Sequence, residues 1–393
     1  MRTAMFPAHE ACAGIYIHIP FCVRKCAYCD FLSFPAEESA QNLYINRLEQ
    51  ELLQVCRQME SKKESISTIY FGGGTPSLLP GRQIIRLMEV LRQYGTILPD
   101  AEITLEMNPG TVSEEKLQCY RSAGINRLSI GAQSFQEEEL RLLGRIHTCQ
   151  DFMDTWKLAR CMGFSNISLD LMSGLPGQTA ESWRKSLHTA LSLEPEHLSA
   201  YSLIIEEGTP FYERYGAAWS EENEELDRQM YEDTKRILEK AGYLRYEISN
   251  YARPGYESRH NTSYWTGIPY YGCGLGASSL IRKKEGWLRT RNQVSMREYL
   301  EKPPYLEEEK LTLQARMEEF MFLGLRLTRG IDPADFNQRF EPDGRQNGLF
   351  YRVYGAVVQE LIQEGLMQTE GTRLALTDRG LDLSNYCFEK FLL

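Results

Sequence analysis

The segment Cys22-Val-Arg-Lys-Cys26-Ala-Tyr-Cys29 gathers three thiols within one short stretch. Thiolates are soft ligands, and three on one loop suit three irons of a 4Fe-4S cube. A cube held wholly by protein takes a fourth cysteine, but Phe31 stands two positions after Cys29. One iron would then be open to a small molecule. A structural zinc site is the other reading of clustered thiols. Zinc wants four closed ligands, usually in two separated C-x-x-C pairs, and His18 is the conceivable fourth, although it lies within a strand pattern. The remaining cysteines, at 12, 56, 119, 149, 161, 273 and 387, stand singly and read as small buried apolar residues.

Further polar or glycine-rich stretches recur downstream: Gly72-Gly-Gly-Thr75, Glu106-Met-Asn-Pro109, Gln133-Ser-Phe135, and Asp170 with Gly174-Leu-Pro-Gly177. Each follows an apolar run rich in β-formers. The runs begin with Gly14-Ile-Tyr-Ile-His-Ile19 and continue at 68–71, 102–106, 127–131, 166–170 and 197–202, with helical spacing between them. Six β–α repeats predict parallel strands joined by right-handed crossovers, fewer than a closed barrel holds. A partial, open TIM-like α/β barrel fits this count; an open doubly wound sheet is the alternative. In both, ligands gather at the carboxyl ends of the strands, where these residues fall.

The composition of the 393 residues, 42% hydrophobic and 25% charged, excludes a disordered chain, a collagen-like repeat and a membrane bundle. No apolar stretch approaches the ~18 residues of a spanning helix, and the opening MRTAMFPAHEACAG has no secretory pattern. The expected location is the cytoplasm, where thiols stay reduced. With 44 basic against 54 acidic residues, the net charge of -10 disfavours nucleic acid as a partner.

The C-x3-C-x2-C loop after a first strand resembles the radical S-adenosylmethionine (SAM) superfamily. The strings Tyr16-Ile-His-Ile-Pro-Phe-Cys22, Phe71-Gly-Gly-Gly-Thr-Pro76, Gly131-Ala-Gln-Ser-Phe135, Gly144-Arg-Ile-His147 and 170–177 are similar to its oxygen-independent coproporphyrinogen III oxidase-like branch. The resemblance implies a 4Fe-4S cluster on Cys22, Cys26 and Cys29, its open iron taken by the amino and carboxylate groups of SAM, whose reductive cleavage gives a 5′-deoxyadenosyl radical. It also places Tyr16, Tyr28, Gly73, Gly74, Thr75, Glu106, Gln133, Arg145 and Asp170 around the nucleotide. Glu106 could accept from the ammonium, Arg145 bind the carboxylate, and Asp170 and Gln133 meet the ribose. Glycines 72 to 74 would let backbone approach the ligand closely. Tyr16 read alone is an ordinary core tyrosine. Arg24 and Lys25 are either a solvated loop or the dock for an acidic electron donor of flavodoxin or ferredoxin type.

Two departures separate the chain from the oxidases of that branch: Cys29-Asp-Phe31 replaces their C-x-C, and only thirteen residues precede Gly14 where they carry a longer extension. Both resemble the heme chaperone subgroup, as does His260-Asn-Thr-Ser-Tyr-Trp265. This resemblance implies heme binding by His260, Tyr264 and Trp265, and transfer to heme-acceptor proteins. An imidazole is a natural axial ligand and the aromatics could face a porphyrin, but a lone histidine is more often a satisfied core residue. No catalytic residue is singled out; oxidative decarboxylation of coproporphyrinogen III is the rival activity.

Three parts are expected: 1–240, the radical SAM core; 241–305, an extension carrying the histidine motif; and 306–393, a winged-helix-like α+β unit, with 302–310 as linker. The C-terminal unit lacks a basic recognition helix, which argues for packing or partner binding. Arg282, Lys283, Lys284, Arg289 and Arg291 form a basic patch. It could face heme propionates or give peripheral membrane contact, or be a solvated hairpin with its turn at Glu285-Gly286.

Overall fold

The computed structural model describes residues 11–216, 219, 223–302, 305–341 and 348–393. Six strands form the expected repeats: β1 (Cys12–Ile19), β2 (Ser65–Gly73), β3 (Ile97–Met107), β4 (Arg127–Gln133), β5 (Ile167–Ser173) and β6 (His197–Ser202). They pair in parallel and in sequence order. The helices between them, such as Glu38–Ser61 and Gly81–Tyr94, cover one face. The sheet stays open, as an incomplete barrel must.

Alternation along the strands decides what the barrel encloses, because successive side chains point to opposite faces. Ile15, Ile17, Ile69, Phe71, Leu105, Leu128, Ile130, Leu169 and Leu198 pack into the main core. The intervening positions, Tyr16, Tyr70, Thr104, Glu106, Arg127, Ser129, Asp170, His197 and Ser199, take the other face. A closed barrel of this class fills its interior with branched apolar residues. This lumen is polar, and so suited to a ligand rather than a packed core.

Residues 241–305 serve both edges of this same sheet. β7 (Leu244–Arg245) and β8 (Asn250–Ala252) extend it antiparallel beyond β6, while β9 (Tyr270–Cys273) pairs in parallel with β1. β10 (Ser278–Lys283) and β11 (Gly286–Asn292) then form the expected basic hairpin. The patch itself divides. Arg289 turns inward to ion pairs with Glu319 and Glu309, leaving Arg282, Lys283, Lys284 and Arg291 exposed.

The expected linker at 302–310 is not one over its described length. β12 (Tyr305–Leu311) pairs with β11 as an edge strand, and its exposed Glu307, Glu308 and Glu309 are the charges that keep such an edge from pairing further. Beyond it lie the helices Leu313–Gly324, Pro333–Phe340 and Leu349–Gln363, then the hairpin of β13 (Met367–Glu370) and β14 (Arg373–Leu376) around Gly371. This unit has its own core, including Phe336, Phe350, Leu361 and Phe391. It is fastened to the barrel by Thr328 N–H donating to the Tyr246 carbonyl at 3.1 Å and by Arg326 against Glu247 at 3.6 Å. Among the described residues, no helix is long and apolar enough to cross a membrane.

Candidate functional site

The loop after β1 carries the three cysteines to the mouth of the lumen. Cys22 N–H donates to Phe34 O at 3.2 Å, Ala27 N–H to Leu143 O at 3.1 Å, and Cys29 N–H to Cys26 O at 3.2 Å. Arg24 ties the loop to the Gly144 carbonyl at 2.9 Å, so it is an anchor as well as a charge. Burial raises the pKa of the Cys22 and Cys29 thiols. Among the described residues, no three Cys, His, Asp or Glu side chains converge as one metal ion requires. A closed zinc site needs four ligands on one ion, whereas a cube takes each thiolate on a different iron. The zinc alternative also loses its fourth ligand: His18 Nε2 is 2.8 Å from Leu32 O and Nδ1 is 3.1 Å from the Tyr16 hydroxyl.

The glycine strand end meets this loop directly. Gly74 N–H donates to Ile19 O at 2.8 Å and Thr75 N–H to Phe21 O at 2.7 Å. A Cβ on Gly74 would fall 2.6 Å from Phe21 O, and one on Gly73 (φ +113) 2.5 Å from the His18 ring. Gly74 therefore lets β2 approach the cysteine loop, and Gly73 lets it pass His18 of β1. Room for a ligand, the reason offered by the sequence, comes second.

Below the loop lies a cavity of about 400 Å³. Its upper wall combines the three cysteines with Tyr28, Gly73, Gly74, Thr75, Glu106, Gln133, Arg145 and Asp170. Tyr16 is outside that wall; its ring stacks on Tyr70 with centroids 6.2 Å apart. Arg145 places Nη1 3.9 Å from Cys26 Sγ and donates through Nη2 to Asn108 Oδ1 at 2.7 Å and Gly131 O at 2.9 Å. Gln133 sits at φ +65, a backbone cost that is typical of a functional position, and accepts from Tyr201 at 3.0 Å.

Two carboxyls, Glu106 and Asp170, line the lumen. Glu106 accepts from the Tyr70 hydroxyl at 2.7 Å and from Gly73 N–H at 3.2 Å. Burial, with the charge of Asp170 as a lesser cause, lifts its pKa to about 7 against the opposing hydrogen bonds. Asp170 is raised by burial too, and accepts from Ser129 at 3.2 Å and Ser168 at 3.3 Å. Such a carboxyl is poised to ionise against a ligand cation.

The histidine motif divides by helical face. The helix Arg259–Trp265 lies under the barrel, capped by Ser258. His260 is 1% exposed, with Nδ1 2.8 Å from Thr68 Oγ1 and Nε2 2.8 Å from the Tyr264 hydroxyl. Its ring stacks on Tyr70, and burial drops its pKa to about 3. The role expected of His260, an axial ligand, conflicts with this setting: neither nitrogen has a free lone pair to offer. Tyr264 packs edge-on against Tyr270. Asn261 and Trp265, four apart on the adjoining face, line the cavity instead.

Sequence reading missed most of the cavity's lower wall: Arg127, Ser129, His197, Ser199, Asn250 and Arg326. The signal was available in part. Every second residue of 127–133 and 197–201 is polar or glycine, a pattern that betrays a polar face on strands buried on both sides.

Residues 16–190 match the Radical SAM superfamily and residues 311–383 the HemN C-terminal domain. The heme chaperone HemW of Bacillus subtilis (strain 168) is 39% identical over 385 residues, spanning 96% of this chain and 98% of that protein. HemW of Escherichia coli (strain K12) is 36% identical over 382 residues, with 96% and 98% covered. The mitochondrial radical S-adenosyl methionine domain-containing protein 1 of Danio rerio is 33% identical over 399 residues, covering 96% and 85%. Among solved structures, coproporphyrinogen III oxidase (HemN) from Escherichia coli superposes with a TM-score of 0.81 over 99% of this chain and 91% of that one, at 24% identity. That likeness shows the shared fold.

Proposed function

The chain belongs to the radical SAM superfamily, in the oxygen-independent coproporphyrinogen III oxidase-like family and its heme chaperone subgroup, and from this premise we propose that it binds a 4Fe-4S cluster, SAM and heme and passes heme to acceptor proteins. The observation that carries the first part is the convergence of Cys22, Cys26 and Cys29 with Glu106, Arg145 and Asp170 on one cavity. Cluster and nucleotide together supply one-electron reductive cleavage of a sulfonium. The chain's own groups orient it. Glu106, once ionised, holds the ammonium; Arg145, already beside Cys26, faces the carboxylate; Asp170 and Gln133 take the ribose hydroxyls.

The heme part is supported by the named relatives and by Phe31, 68% exposed where the oxidases have a cysteine. Of the motif residues, Trp265 offers the lumen an aromatic surface, while His260 and Tyr264 hold its helix in place. Ligation of iron by His260 would first need release from Thr68 and Tyr264. A cytoplasmic location, an acidic electron donor at Arg24 and Lys25, and membrane contact through the exposed cations of the β10–β11 hairpin belong to the same reading.

The test is anaerobic reconstitution followed by heme titration and mixing with an apo-hemoprotein. Saturable heme binding and transfer are expected; no saturable binding would sink the chaperone reading. The polar lumen keeps a second reading open, coproporphyrinogen III oxidation. Protoporphyrinogen formed with consumption of SAM would establish it.

A further inference from the structure

Arg127 begins β4 and points into the lumen, 2% exposed. Its guanidinium has no hydrogen-bond partner among the described residues, and its Nε is fully buried. Buried arginines ordinarily fill their five donors, because an unpaired buried charge is costly. Carboxylates are near, but all are engaged by other donors. Glu106 takes Tyr70 and Gly73 N–H, Asp170 takes Ser129 and Ser168, and Glu247 takes Ser249 N–H, Asn250 and Arg326.

The same end of the cavity shows two more stranded donors. Among the described residues, Trp265 Nε1 and Arg326 Nε are buried without partners, although Arg326 pairs with Glu247 through Nη2, and both residues line the same cavity as Arg127. Arg326 stacks over the Trp265 ring at 4.3 Å, which fixes both. Attraction to Glu106 and Asp170 offsets part of the Arg127 charge, but no hydrogen bond among the described residues fills these three donors. Ordered water can satisfy a neutral indole N–H, but it does not neutralise a guanidinium.

We propose that this lower chamber, beneath the nucleotide site, binds a carboxylate group of the second ligand, with Arg127 as its charge partner and Trp265 and Arg326 as further donors. The guanidinium fork matches a carboxylate in two parallel hydrogen bonds. Under the proposed function the carboxylate is a propionate arm of the tetrapyrrole, and the inference rests on that reading. The histidine-motif helix then acts through Trp265, held at the chamber by the His260 and Tyr264 contacts behind it.

The test compares heme with its dimethyl ester, in which both propionates are neutral, by absorbance titration of the reconstituted full chain. Wild type should bind heme about tenfold more tightly than the ester, the worth of one charge-assisted contact. Arg127→Gln should bring heme down to the ester's affinity and leave the ester unchanged, which also certifies that the variant is folded. Trp265→Phe, keeping the ring and losing the N–H, should show a smaller loss confined to heme. Equal wild-type affinity for heme and ester overturns the inference while leaving heme binding intact, as does an Arg127→Gln variant that still prefers heme. Wild type binding neither compound overturns the heme reading and this inference with it.

Discussion

His260 Nδ1 lies 2.8 Å from Thr68 Oγ1 inside the barrel, so the histidine that marks the motif is bonded to strand β2 and closed to solvent. Its partner Tyr264 occupies the other nitrogen at 2.8 Å. The Thr68 bond, with Glu102 accepting from the His260 N–H at 3.0 Å, ties the helix Arg259–Trp265 to the barrel and helps set where Trp265 enters the lumen.

That role predicts a stability phenotype. His260→Ala removes a buried ring and two hydrogen bonds, and should destabilise by roughly 2–4 kcal/mol in chemical denaturation. The folded pKa of about 3 lies below the ordinary 6.5, so stability is full above 6.5 and falls as pH drops toward 3. In His260→Gln that part of the acid limb should flatten. A variant of wild-type stability that loses heme alone would return His260 to the role of ligand.

Glu106 predicts a pH dependence of nucleotide binding. Its pKa of about 7 means that the carboxylate forms only as pH rises through neutrality. SAM affinity, measured by calorimetry on the reconstituted protein, should therefore rise with pH across that range. Glu106→Gln should bind more weakly and lose this component. In the absence of ligand the sign is opposite: the folded state keeps its proton longer than the unfolded, so wild-type stability falls between pH 4.5 and about 7. A pH-independent difference between the two proteins would contradict the assignment.

The cysteines predict an all-or-none effect. Replacing Cys22, Cys26 or Cys29 by Ala should each remove the brown chromophore and most of the bound iron after anaerobic reconstitution. Cys161→Ala, an exposed thiol away from the loop, should retain both. Zinc in place of iron in anaerobically purified wild type would reverse this reading.

Gly74 predicts a local steric effect. A Cβ there meets backbone, Phe21 O at 2.6 Å, and backbone cannot swing aside as a side chain can. Gly74→Ala should cost about 1–3 kcal/mol and lower cluster reconstitution, since the strain falls on the cysteine loop. Hydrogen exchange should show loosening around 19–34 and none in the C-terminal unit. Wild-type reconstitution would show that the loop tolerates the shift.

The sequence by itself determined the six repeats, the open barrel and the cysteine loop, because these are local signals: apolar periodicity, turn chemistry and short spacing. It also placed the upper wall of the cavity, since each strand ends where its chemistry begins. It misjudged the described part of 302–310, where a Glu-rich edge strand has the composition of a linker. Only the tertiary structure decided which histidines and arginines are held by hydrogen bonds and which line the cavity. The motif left His260 open between a ligand and a satisfied core residue, and its hydrogen-bond partner Thr68 is 192 positions away. Arg127 looks like an ordinary strand start, yet the curl of the sheet leaves its guanidinium without a hydrogen-bond partner among the described residues of the lumen. Whether a polar group is satisfied depends on neighbours distant in the chain, and folding alone brings those together.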